Sequence, residues 1–270
     1  MKSMLNVKER NNVKVFGQGE KTIIFAHGFG CEQGMWQYII PMFENNYRLI
    51  VFDYVGSGES DMTAYDAVKY NELSGYSQDV LEIIEELALE DVIFVGHSVS
   101  SMIGLIASIQ QPNYFDKLVM IGPSPCYLNT EDGYHGGFEK SDIEDLLAMM
   151  EMNFTGWASY MAPMALEQPI EAETVKELRH TFVSNDPKVA RQFAEVTFYS
   201  DCRDILKQGQ VDTLILQCSH DSIVPIEVGE YLRQHLLNSR LHILEAKGHY
   251  PQISHPQQTA SVIKDYLEGK

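Results

Sequence analysis

Residues 92–108 read VIFVGHSVSSMIGLIAS, and the change of pattern inside this stretch decides the fold. A short apolar run with the composition of a buried strand enters Gly96-His97-Ser98-Val99-Ser100 and leaves as a helix carrying the small residues Gly104, Ala107 and Ser108. A serine at such a strand-to-helix turn is a nucleophile elbow. Its hydroxyl stands above the sheet edge, and the helix N-terminus favours negative charge developing there. The usual pattern is GxSxG. Ser100 occupies the second glycine position and is itself small.

Outward from the elbow, KTIIFAHG (21–28), YRLIVFDY (47–54), KLVMIGP (117–123), TLILQC (213–218) and LHILEA (241–246) are further strand-like runs. Helix-like segments separate them, which predicts a parallel sheet. Their near-continuous Val, Ile, Leu and Phe content fits strands covered on both faces. VKVFGQGE (13–20) is expected to add an antiparallel edge hairpin. After GPSPCYLN (122–129) about seventy residues pass without a convincing strand. Four helices are expected there, near 138–154, 155–168, 171–186 and 187–201, with Pro163, Pro169 and Pro187 near boundaries or bends. We expect one domain spanning 1–270, with a helical cap inserted at about 128–203 over the carboxyl edge of the sheet, where open α/β folds bind ligands.

Three loops carry the chemistry. FAHGFGCEQ (25–33) contains His-Gly-x-Gly, the arrangement that supplies an oxyanion-hole amide, so the amides of Phe29 and Val99 are the expected pair of donors. His27 is expected to be structural. EAKGHYPQISHP (245–256) follows the last strand and brings His249 to the elbow's edge as general base. His255, just before Pro256, reads as a capping or structural residue; His97 and His220 have weaker claims. LILQCSHDSIVP (214–225) places Asp221 after its strand and 28 residues before His249, in the order Ser, acid, His. Asp221 would hold the imidazole tautomer. Asp212 precedes the same strand and reads as a surface residue at the opposite edge. FDYVGSGESD (52–61) is scaffold: its Gly56 and Gly58 lack GxGxxG spacing, so no nicotinamide cofactor is expected.

At 270 residues and 44% hydrophobic composition, the chain can bury roughly 75% of its unfolded surface. A net charge of -18 argues against nucleic acid and anionic membranes as partners. Acidic stretches such as FEKSDIEDL and EAETVKEL read as the wet faces of helices. The segment MKSMLNVKERNNVKV (1–15) has no apolar signal-like core, and a cytoplasmic monomer is expected. Cys31, Cys126, Cys202 and Cys218 lack metal-ligand spacing and read as reduced thiols, Cys126 packing at a strand end. Arg179, Lys188, Arg191 and Arg203 fall on helical stretches that place them in solvent, so no metal and no anionic substrate is expected in the site.

On FDYVGSG (52–58), FVGHSVS (94–100), GPSPCYLN (122–129), GGFE (136–139), RQFAEVTFYSD (191–201) and LEAKGHYPQISHP (244–256), the chain resembles the RsbQ family of bacterial α/β hydrolases, related to the plant strigolactone and karrikin receptors. GPSPCYLN and GGFE are particularly similar to RsbQ, whereas Ser100 is similar to the plant receptors. The resemblance implies an α/β-hydrolase fold: a mostly parallel central sheet flanked by helices, with a V-shaped four-helix cap over a small hydrophobic cavity and Ser98, Asp221 and His249 at its floor. Phe29, Tyr127, Phe138, Trp157, Met161 and Phe198 would line that cavity. It also implies a part in stress signalling upstream of sigma-B, with an RsbP-like PAS-domain phosphatase as partner. Three readings stand: a regulatory serine hydrolase of small hydrophobic esters or lactones, a ligand-binding signalling module with slow turnover, and a metabolic carboxylesterase without a partner.

Overall fold

A computed structural model of the protein describes residues 6–270; the reading of the N-terminal stretch rests partly on residues 1–5, which lie outside those described. The strands are β1 (Lys14–Phe16), β2 (Thr22–Ala26), β3 (Arg48–Val51), β4 (Val92–His97), β5 (Phe115–Ile121), β6 (Asp212–His220) and β7 (Ser239–Lys247). Among the described residues they form one seven-stranded sheet in the order β1-β3-β2-β4-β5-β6-β7. Every pair is parallel except β1 with β3. The helices are α1 (Val7–Arg10), α2 (Leu73–Glu86), α3 (Val99–Gln110), α4 (Lys140–Met152), α5 (Phe154–Leu166), α6 (Glu173–Ser184), α7 (Pro187–Tyr199), α8 (Ile226–His235), α9 (Pro251–Ser254) and α10 (Pro256–Leu267).

Burial follows position in the sheet. All residues of the interior strands β2 and β4 are buried, as strands covered on both faces must be. The edge strand β7 instead alternates over much of its length, because one face of an edge position is poorly covered. At the opposite edge the expected hairpin does not form. β1 is antiparallel to β3 rather than to its chain neighbour β2. The chain turns at Gly17, whose φ of +82° a side chain would resist, and passes so close to Asn46 and Tyr47 that a Cβ at Gly17 or Gly19 would overlap backbone. It therefore enters the sheet one place further in.

Between β5 and β6 stand α4 to α7, near the expected segments. α7 begins as its sequence dictates: Asp186 accepts from the amides of Lys188 and Val189, and Pro187 fills the first helical position. Its buried residues Ala190, Phe193, Ala194, Thr197 and Phe198 make one face. Pro163 lies in the last turn of α5, near its boundary, and Glu167 ends that helix in the left-handed region at φ 50°. Because β2, β4, β6 and β7 are parallel, the loops bearing Phe29, Ser98, Asp221 and His249 all leave the same edge of the sheet. Among the described residues no helix is long and apolar enough to cross a membrane.

Candidate active site

Ser98 sits at φ 56°, ψ −123°, a conformation that L side chains rarely adopt and that persists only where packing enforces it. Gly96 makes the turn feasible, since a Cβ there would lie 2.6 Å from the Ser100 carbonyl oxygen. Gly104 brings α3 onto β4, a Cβ there falling 2.4 Å from the Phe94 ring. Ser100 does more than stay small. Its buried hydroxyl donates to the His27 carbonyl and lies 2.9 Å from the Tyr54 hydroxyl, tying the elbow to the loop after β2.

That loop turns at Gly28-Phe29-Gly30-Cys31, closed by Cys31 N–H donating to Gly28 O at 3.2 Å. A Cβ at Gly28 would meet His97 Nδ1 at 2.5 Å. The glycine is thus what allows the two loops to touch. Among the described residues the Phe29 amide donates to no group. Val99 is the first residue of α3, so its amide has no partner within the helix.

His249 joins the third and fourth loops to the elbow. Its Nδ1 lies 2.8 Å from Asp221 Oδ2 and its Nε2 lies 2.8 Å from Ser98 Oγ. A carboxylate can only accept, so Nδ1 carries the proton and Nε2 accepts from the serine hydroxyl. Asp221 Oδ1 accepts from the amides of Ile223 and Val224 at 2.8 and 3.1 Å, which fixes the carboxylate. The His249 and Asp221 side chains are almost fully buried. The Tyr127 hydroxyl stands 3.1 Å from Ser98 Oγ, and burial raises its pKa well above the ordinary range. It remains protonated and donates to the serine oxygen.

The other histidines fall outside this chain of bonds. His27 is buried, donates from Nδ1 to Gly28 O and accepts the Tyr54 amide at Nε2, and burial lowers its pKa. His97 donates from Nε2 to the His249 carbonyl at 2.8 Å, and burial, with His249 nearby, pushes its pKa well below the ordinary value. His255 occupies the cap position of α10 without making a side-chain cap. His220 is exposed and pairs with Glu167 at 2.8 Å. Asp212 lies at the far end of β6, partly exposed, against Lys117 and Arg240.

A cavity of about 30 Å³ opens on Ser98 and His249 and is lined by Phe29, Tyr127, Trp157, Met161 and Phe198 among others. One expected wall residue is absent. Phe138 packs behind Phe198, ring centres 5.7 Å apart, and reaches that ring rather than the cavity. Phe182 from α6 and Ile223 from the acid loop take places in the wall that the residue pattern left unassigned. None of Arg179, Lys188, Arg191 and Arg203 lines the cavity. Arg203, expected in solvent, is instead mostly covered: it lies over the Tyr134 ring at 4.9 Å and pairs with Asp132 and Asp201. A larger groove of about 1370 Å³ runs between α4, α7 and the body of the fold and is lined by Lys188, Arg191 and Asp201 among others, but by none of Ser98, Asp221 and His249. The four cysteines are unpaired and buried, and burial pushes the Cys31 and Cys202 thiols up to about 12. Among the described residues no three or more His, Cys, Asp or Glu are grouped to hold a metal ion.

With this geometry in view, residues 21–256 match the family model described as alpha/beta hydrolase fold. The chain belongs to the α/β-hydrolase family. It is 40% identical over 266 residues to strigolactone esterase D14 of Arabidopsis thaliana, covering 98% of this chain and 99% of that one. It is 38% identical to Karrikin insensitive 2 receptor CA of Petunia hybrida, covering 97% of each. Among solved structures, the hydrolase olei00960 of Oleispira antarctica superposes with a TM-score of 0.95 at 40% identity, covering 98% of this chain and 97% of that one.

Proposed function

We propose that the protein is a serine hydrolase of small, neutral esters or lactones, with Ser98 as nucleophile, His249 as general base and acid, and Asp221 as the group that orients the imidazole. The observation that carries this reading is the unbroken chain of hydrogen bonds from Asp221 through His249 to Ser98. Ser98 Oγ attacks the carbonyl carbon while its proton passes to His249 Nε2. The amides of Phe29 and Val99 receive the oxyanion. His249 then returns the proton to the departing alcohol oxygen, and water, activated by the same nitrogen, releases the acid. The Arabidopsis relative is an esterase, which supports the reaction class. The apolar wall supports a neutral substrate, because an ionised group would lose its hydration without gaining a partner. Turnover of a short p-nitrophenyl ester by wild type and Ser98→Ala protein tests the reading: the variant should lose nearly all of it, and near-wild-type turnover in folded variant would reject Ser98.

A second reading has its own support. The Petunia relative is a receptor, and a cavity of about 30 Å³ is far below the several hundred usual for ligand sites. Admitting a substrate then requires the cap to shift, and a shifted cap can report occupancy to a partner. On the resemblance to RsbQ, that partner is a PAS-domain phosphatase acting upstream of sigma-B in the cytoplasm. Ligand-dependent capture of the phosphatase that persists in Ser98→Ala protein would favour gating by binding; capture that needs the serine would favour gating by turnover.

A further inference from the structure

The buried face of α7 has helical spacing throughout, and Ala190, Phe193, Ala194 and Phe198 fit its apolar pattern. Thr197 does not. It is 1% exposed, lines the cavity above Ser98, and its Oγ1 has no hydrogen-bond partner among the described residues. Helical hydroxyls ordinarily return to a carbonyl of the preceding turn. Thr181 does so to Glu177 O at 3.1 Å and Ser159 to Thr155 O at 2.8 Å; Ser77 of α2 shares the unpaired state, but of the two only Thr197 lines the cavity. Valine has nearly the same shape and would suit the apolar face without burying an orphan hydroxyl. A polar group that breaks the local pattern at a ligand cavity is where function is expected to override stability.

We propose that Thr197 is a specificity-determining residue whose hydroxyl donates to a second, uncharged oxygen of the substrate, on the cap side and remote from the reacting carbonyl. The inference rests on the hydrolase reading of the site and narrows it to compact esters or lactones that carry an additional ether or carbonyl oxygen. An acceptor is favoured over a donor by the rest of the wall. Trp157 also lines the cavity, and its indole N–H, which can only donate, is likewise buried without a partner, while the Tyr127 hydroxyl is already engaged with Ser98. No lysine or arginine lines the cavity, so the acceptor is neutral.

The test compares p-nitrophenyl tetrahydrofuran-3-carboxylate with p-nitrophenyl cyclopentanecarboxylate, which differ by one ring oxygen, each rate normalised to hydroxide hydrolysis of the same ester. Wild type should favour the oxygen-bearing ester in kcat/KM by about tenfold, the order of one hydrogen bond. T197V and T197A should bring that ratio to about one, and T197S, which keeps the hydroxyl, should retain it. T197V should also raise the thermal midpoint of the ligand-free protein, since it removes an unpaired buried hydroxyl; a merely structural threonine would lower it. A wild-type ratio of one, or a ratio unchanged in both hydroxyl-free variants, overturns the role of Thr197. Ser98→Ala run beside them separates the two levels: retained turnover overturns the hydrolase reading and this inference together, while lost turnover with an unchanged ratio in T197V overturns this inference alone.

Discussion

The backbone amide of His249 donates to the carbonyl of Ala165 at 2.7 Å, so the loop holding the imidazole hangs from the last turn of α5. That turn has carbonyls to offer because the helix stops there and Pro169 beyond it has no N–H. Ser222, beside Asp221, donates to Met164 O at 2.9 Å, and Glu167 pairs with His220. The end of this one helix thus grips both the acid loop and the histidine loop.

Gly248 is the position most sensitive to this arrangement. Its φ is +87°, and a Cβ would lie 2.5 Å from the Leu166 carbonyl oxygen. Gly248→Ala should destabilise the protein by about 1–3 kcal/mol, the range for strain at a disfavoured φ. It should also displace His249 from Ser98, lowering kcat by about tenfold or more. Chemical denaturation and ester turnover on the same preparation check both effects; full activity would show that the loop does not depend on α5.

Asp221→Asn should keep the pocket but leave Nδ1 facing an amide able to present its NH₂, which favours the wrong tautomer. A fall in kcat of about 10²–10⁴ with KM little changed is expected. Asp212→Asn is the comparison, since its partners are partly exposed and such pairs contribute at most about 1 kcal/mol. Steady-state kinetics on the two variants decide between them, and equal losses would remove Asp221 from its role.

Ser100→Ala deletes the hydroxyl that binds His27 O and neighbours the Tyr54 hydroxyl. Burying those two partners without it should cost about 1–3 kcal/mol. Ser100→Gly, which restores the commoner motif, should be no better. Urea unfolding midpoints measure this, and a Ser100→Gly protein as stable as wild type would show the bridge to be idle.

The three loops bearing Ser98, Asp221 and His249 were legible because each follows an apolar run, and parallel strands send such loops to one edge. The bridge made by Ser100 was not legible, because smallness is visible in a sequence and a partner across the sheet is not. The same holds in the cap. Periodicity locates α4 to α7 within a few residues but does not set how each helix is rotated against the sheet. Phe138 was therefore expected in a wall it does not reach, and Phe182, Ile223 and Thr197 went unassigned there. The pairing of β1 with β3 was hidden for a related reason: it depends on where Gly17 and Gly19 let two loops cross.

Stability should fall as pH drops below the range of free histidine. His27 and His97 are buried with lowered pKa, so between their folded values and the unfolded value of about 6.5 the unfolded chain binds protons that the native state does not. Unfolding free energy then rises with pH by up to about 1.4 kcal/mol per unit for each group, is full above 6.5 and is lost below it. Urea titrations from pH 7.5 down to pH 5 should show stability falling as the pH falls, and a flat profile would contradict the neutral, buried state of both rings.

The most direct measurement is the intact mass of the protein quenched during turnover of a p-nitrophenyl ester, followed by peptide mapping. If Ser98 is the nucleophile, one acyl group per chain appears on the peptide carrying Ser98, with release of p-nitrophenol, and it is absent from Ser98→Ala protein. Acyl transfer to another residue, or undiminished turnover by folded Ser98→Ala protein, would contradict the account.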